Sequence, residues 1–146
     1  MAHQHCVAPL CTQETEGFRL CARCRDELVA TLSELPRLYQ GCEKLLRERY
    51  RAAAGNATPS AIGLSEAVRF ARRHLRETLA GWSAMTAQER GERGPDPSKV
   101  HAMTVFLRKN ANWLAAHPRA GEWAAELAEL SAGMGRDHSN RRQHVA

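Results

Sequence analysis

The chain has 146 residues, a formal net charge of +5 and only 5% aromatic residues. That length suits one domain with at most a small appendage. No apolar run approaches the roughly eighteen residues of a membrane-spanning helix, so no membrane partner is expected. The opening MAHQHC lacks the apolar stretch of a secretory signal, so the expected location is the cytoplasm.

The chain opens with Cys6, Cys11, Cys21 and Cys24 in the spacing C-x4-C-x9-C-x2-C. In a reducing compartment, clustered cysteines read as metal ligands before they read as disulfides. Structural zinc takes four soft ligands in a tetrahedron, and each pair here is close enough for one turn to bring both sulfurs onto one ion. Glu16-Gly17 supplies a turn between the pairs, and Phe18-Arg19-Leu20 is expected as a short strand leading into the second. The four cysteines are therefore assigned to one structural Zn2+, in a treble-clef-like or knuckle-like module with a short β-hairpin over residues 1–26. Cys24 is followed at once by a helical pattern, and a helix N-terminus favours thiolates. A redox C-x2-C pair would need a βαβ setting that the pattern lacks. Two disulfides, or His3 or His5 in place of Cys6, are the other readings. Four cysteine ligands leave no open position for catalysis. Four thiolates on one Zn2+ add roughly −2, so the working charge falls to about +3.

From Asp26 to Tyr50, apolar residues recur at helical spacing: Leu28, Leu32, Leu35, Leu38, Tyr39, Cys42, Leu45 and Leu46. Pro36 is expected to bend or split this segment near Glu34-Leu35, and Cys42 reads as a buried, inert thiol. Residues 55–60 read as a loop. A second helix is expected from Ser65 as N-cap, with Val68, Ala71, Leu75, Leu79 and Trp82 as its buried stripe. It fades between Gln88 and Glu92, and Gly94-Pro95-Asp96-Pro97-Ser98 breaks the chain, with Ser98 as the next N-cap. A third helix runs from Val100 through Met103, Leu107 and Leu114 to Pro118. A tight turn at His117-Pro118-Arg119 then leads to a fourth helix carrying Trp123, Leu127, Leu130 and Met134. The expected fold is all-α, a bundle of four to five helices over residues 27–134 joined to the four-cysteine zinc module. Residues 135–146 are expected to be a disordered polar tail.

Arg69, Arg72, Arg73 and Arg76 recur at i, i+3, i+4, i+7 and form one basic stripe on the second helix. A row of guanidinium groups suits phosphate contacts with DNA or RNA. A solvated face, partly neutralised by Glu48, Glu66 and Glu77, is the plainer reading of the same stripe. Phe70 and His74 lie to one side of it. No paired carboxylates, nucleophile with a histidine base, or phosphate-cradling glycine loop stands out, so no enzymatic activity is expected.

The cysteine-rich start, the L-x2-L-P-x-L step from Leu32 to Leu38, and the stretch from Trp113 to Glu122 resemble small uncharacterised proteins of actinobacteria and their bacteriophages. Those proteins pair a zinc-finger-like cluster with a helical body, and some add a C-terminal helix-turn-helix. This chain has a polar segment where that motif would follow, which weakens a carried-over claim of DNA binding. Two functions are expected from these features. One is a zinc-stabilised regulator associated with nucleic acid through Arg69, Arg72, Arg73 and Arg76. The other is an accessory module that binds a host or phage protein and would carry an exposed apolar or Trp-bearing patch.

Overall fold

The computed structural model describes residues 4–54 and 61–134. His3, the loop expected over 55–60 and the polar tail expected over 135–146 lie outside the described residues. A two-stranded antiparallel ribbon, β1 (Gln4–His5) and β2 (Glu14–Thr15), precedes five helices: α1 (Ala22–Ala54), α2 (Ala61–Arg90), α3 (Val100–Lys109), α4 (Ala111–Ala116) and α5 (Ala120–Gly133). The architecture is an all-α bundle with a cysteine module at its N-terminal end. Among the described residues no helix is long and apolar enough to cross a membrane.

α1 is one continuous helix through Pro36, so the segment is not split there. Proline removes one ladder bond and crowds the preceding turn, at about 3 kcal/mol. Leu32, Leu35 and Cys42 flank it and are all fully buried. Each buried leucine contributes about 1.5–3 kcal/mol, so packing on both sides of the proline outweighs the local penalty. α1 is the hub of the bundle and touches each of the other four helices.

α2 begins at Ala61, a turn earlier than Ser65. Leu64 is buried one turn ahead of Val68 and extends the apolar stripe back past the expected cap, while Ser65 is exposed. The stripe of Val68, Leu75, Leu79 and Trp82 is buried as its periodicity requires.

Ser98 is not the cap of α3; Lys99 occupies that position without a side-chain cap bond. The Ser98 backbone N–H and hydroxyl instead donate to Asp96 Oδ1 at 2.9 and 2.7 Å, closing an Asx turn just before the helix. Those two bonds hold the Asp96 carboxyl below the usual carboxylate range.

The expected third helix is two helices, parted at Asn110. Asn110 is buried, its Nδ2 donates to Phe106 O at 2.9 Å, and its Oδ1 accepts from Arg90 Nη1 at 2.6 Å. An asparagine that bonds the carbonyl one turn back competes with the helical ladder, and the Arg90 contact from α2 holds it in that state. His117 then takes an extended conformation (φ −69°, ψ 145°), as a residue before proline must. Its ring accepts the Arg119 N–H on Nδ1 at 3.0 Å, and its Nε2 meets Glu89 at 3.1 Å, tying the α4–α5 turn to α2. Trp123, Leu127, Leu130 and Met134 are all buried, and Trp123 packs against Trp82 with ring centroids 5.8 Å apart. Trp82 Nε1 donates to Glu126 on α5.

Candidate metal centre and the arginine face

The strands do not fall where the sequence placed one. Phe18-Arg19-Leu20 forms no strand, and the ribbon pairs Gln4 with Thr15 and His5 with Glu14 instead. The pairing brings the segments around Cys6 and Cys11 together, and the Cys6 N–H donates to Gln13 O at 2.7 Å. Gly17 (φ 78°) makes the turn that returns the chain toward α1, in a conformation that favours glycine. Leu20 is fully buried beneath this turn.

α1 starts at Ala22, so Cys21 precedes its first residue and Cys24 lies in its first turn. The positive end of a 33-residue helix therefore faces the second cysteine pair. The sulfurs of Cys6, Cys11, Cys21 and Cys24 all lie within 4.8 Å of one another, and Cys11 Sγ is 3.8 Å from Cys21 Sγ. Zinc–sulfur bonds of about 2.3 Å in a tetrahedron imply sulfur–sulfur edges of about 3.8 Å, so the residues present fit an ion held by four thiolates. All five cysteines are free thiols, with no disulfide among them, and Cys42 is buried in the core apart from the cluster. His5 is exposed and is not a member of the cluster, and His3 lies outside the described residues.

The backbone around the sulfurs is arranged for anions. Burial pushes the Cys6 thiol up, and backbone hydrogen bonds from Cys21 and Ala8 work against it. Burial would also raise Cys11, but a backbone bond from Gln13 and the neighbouring thiols outweigh it and bring Cys11 to about 7. Cys24 is pushed well up by burial and by the crowding of Cys21 and Cys6. Four thiols so close cannot all ionise without a cation between them. Amide donors aimed at sulfur favour the thiolate form, and a cation among the four would offset the burial and mutual repulsion that hold Cys6 and Cys24 protonated. Arg23 Nη2 lies 3.8 Å from Cys11 Sγ and adds positive charge at the rim, and Arg25 covers the Phe18 ring at 3.7 Å.

The module is seated on the far end of the bundle. The Arg19 N–H donates to Ala115 O of α4 at 2.9 Å, and the Val7 N–H donates to Arg19 O at 2.8 Å. A Cβ on Gly121 of α5 would lie 3.0 Å from Val7 O, so the close approach needs glycine there. At the tip of the first pair, Leu10 adopts φ 61° and is 94% exposed, with Val7 also exposed beside it. A leucine in the left-handed region is strained, and nothing in its local sequence announces it.

The four stripe arginines do not behave alike. Arg69, Arg72 and Arg76 line one polar groove of about 400 Å³ between α1 and α2, whose α1 wall includes Tyr39 and Glu43. Arg73 is exposed on the ridge of α2 and is not part of the groove. Arg72 is half-buried: its guanidinium lies 5.5 Å from the Tyr39 ring centroid, and Nε donates to Tyr39 O at 3.4 Å. Arg69, Arg73 and Arg76 form no ion pair with a described residue, and Glu43 is engaged with Arg47 at 3.1 Å. The sequence pattern places Tyr39 only in the apolar stripe of α1 and gives no sign of Glu43, since the part of both in this face depends on how α1 lies against α2.

Compared with known proteins, the chain matches no family model, no curated protein and no solved structure.

Proposed function

We propose that this protein is a non-catalytic, zinc-stabilised regulator or accessory protein that binds nucleic acid through the arginine face of α2. The observation that carries the reading is the groove in which Arg69 and Arg76 flank Arg72. Tyr39 pre-positions the central guanidinium, and no described carboxylate neutralises the outer two. A guanidinium held without an ion-pair partner is disposed to take a phosphate oxygen. In this reading Zn2+ sits on Cys6, Cys11, Cys21 and Cys24 and does no chemistry; it fixes the N-terminal module on α4 and α5. A cytoplasmic setting, and the resemblance to small proteins of actinobacteria and their phages, accord with both parts.

The test is fluorescence anisotropy of the metal-loaded protein with labelled oligonucleotides across a salt series. Three or four phosphate contacts give a slope of log K against log salt of about −2 to −4, and the triple variant Arg69→Glu, Arg73→Glu, Arg76→Glu abolishes binding. Affinity that does not change with salt removes the reading. Metal analysis of the purified protein should return one zinc per chain, and iron or no metal in its place would refute the zinc assignment.

A second reading, a module that captures a host or phage protein, draws on a different place. Trp82 and Trp123 are buried and Trp113 is half-buried, so they supply no exposed patch. Leu10, almost wholly exposed on a strained backbone, is the residue such a partner would cover. A nuclease-insensitive protein partner lost on Leu10→Asp would favour it.

A further inference from the structure

On the opposite flank of α2 from the arginine groove, an apolar cleft of about 360 Å³ opens between the end of α1, α2 and the end of α5. Tyr50, Phe70 and His74 line it, with Leu46 and Leu130 among its apolar wall and Glu129 as its carboxylate. Phe70 is 61% exposed, and its ring stacks on His74 at 5.8 Å between centroids and 11° between planes. An exposed phenylalanine held flat against a histidine presents one free aromatic face to whatever enters. Arg73 lies one turn along α2 from Phe70, and Arg69 is its immediate neighbour in the chain.

We propose that this cleft takes an unpaired base of a single-stranded nucleic acid, stacked on Phe70, while the strand's phosphates meet Arg73 on the ridge of α2 and Arg69 and Arg76 at the groove beyond it. The inference rests on the reading of the arginine face above and names the form of nucleic acid it selects. A duplex hides the faces of its bases, so only an unpaired base can lie on Phe70. The charges separate the two halves of a nucleotide. Glu129 in the cleft repels phosphate and tolerates a neutral base, whose exocyclic amine it would accept. The guanidinium groups on the ridge and at the groove attract the backbone. Arg73 and Phe70 are neighbours one turn apart on the surface of α2, about 5–6 Å between their Cβ atoms, so a base on Phe70 leaves its phosphate within reach of the ridge.

The test compares short single-stranded homopolymers of DNA and RNA with a duplex of equal length, by anisotropy with the metal-loaded full chain. Binding should favour the single strands, with the DNA and RNA arms reporting which sugar is preferred. Phe70→Ala should weaken single-strand binding about ten-fold and leave the salt slope unchanged, since it removes no phosphate contact. Phe70→Trp should restore it, and the exposure of the site keeps both variants folded, as circular dichroism will verify. Equal affinity for duplex and single strand, or an unaltered affinity in Phe70→Ala while the arginine variants still lose binding, overturns this inference and leaves the arginine reading standing. Loss of binding to every oligonucleotide at low salt overturns both.

Discussion

Replacing Leu10 by glycine should make the protein more stable, although it removes a large apolar side chain. Leu10 is 94% exposed and has φ 61°, so it loses almost no water contact on folding and sits in the left-handed region. That conformation costs a residue with a Cβ about 1–2 kcal/mol. Glycine relieves this cost but brings about 0.5–1 kcal/mol of extra freedom in the unfolded chain. The difference is a gain of about 0.5–1 kcal/mol, or a rise of about 2 °C in melting temperature for a chain of this size. The assay is thermal unfolding of the metal-loaded protein followed by circular dichroism, with Leu10→Ala as control. Alanine keeps the Cβ, so it should melt with the wild type. A glycine variant that melts lower than wild type, or an alanine variant that gains as much, would refute the strain argument. A gain confined to glycine means that the native leucine is kept at a cost to stability, as expected of a residue retained for contact rather than for folding.

The remaining predictions concern the bundle and its caps. Arg72→Ala should cost about 1 kcal/mol through lost packing and cation–π contact with Tyr39, while Arg69→Ala, Arg73→Ala and Arg76→Ala each stay within about 0.5 kcal/mol in chemical denaturation; equal losses at all four would undo the distinction. Asn110→Ala should cost about 1–3 kcal/mol, since it removes the bond from Arg90 and the bond to Phe106 O at a buried position, and a neutral result would show that the α3–α4 break is not held by that side chain. The Asp96 carboxyl is depressed in the folded state, so its contribution is present above the ordinary carboxylate range and lost as pH falls through the depressed value. Ser98→Ala should flatten that acid limb in a pH series of melting temperatures, and an unchanged limb would count against the Asx turn. Cys24→Ser should lower zinc affinity by orders of magnitude in a chelator competition, whereas Cys42→Ser should leave it as it was.

The cysteine module was legible because its signal is local: ligand type, short spacings and an adjoining helix start coincide within a few residues of Cys21 and Cys24. The helices were legible for the same reason, since buried stripes such as Leu75, Leu79 and Trp82 repeat at a fixed period. What escaped the sequence depends on neighbours distant in the chain. Pro36 stays helical because Leu32 and Leu35 are buried in the core shared with other helices, which the local sequence alone does not reveal. Asn110 breaks a helix because Arg90 reaches it from α2. The ribbon chose Glu14–Thr15 over Phe18–Leu20, since Leu20 is fully buried and Phe18 lies under Arg25. The stripe of four arginines was visible as a pattern, but which three share a groove is decided by where Tyr39 stands on α1.

The hydrogen bond from Arg19 to Ala115 and the seat of Val7 on Gly121 join the first twenty or so residues to elements near the other end of the chain. On the ribosome, the cysteine-bearing segment emerges long before α4 and α5 exist to receive it. An ion captured early would give that segment a shape of its own while it waits, and closing so long a loop afterwards is slow compared with forming the helices. Metal supply during synthesis would then govern how much of the protein reaches its finished form, with the shortfall appearing at the distant helices as much as at the cysteines.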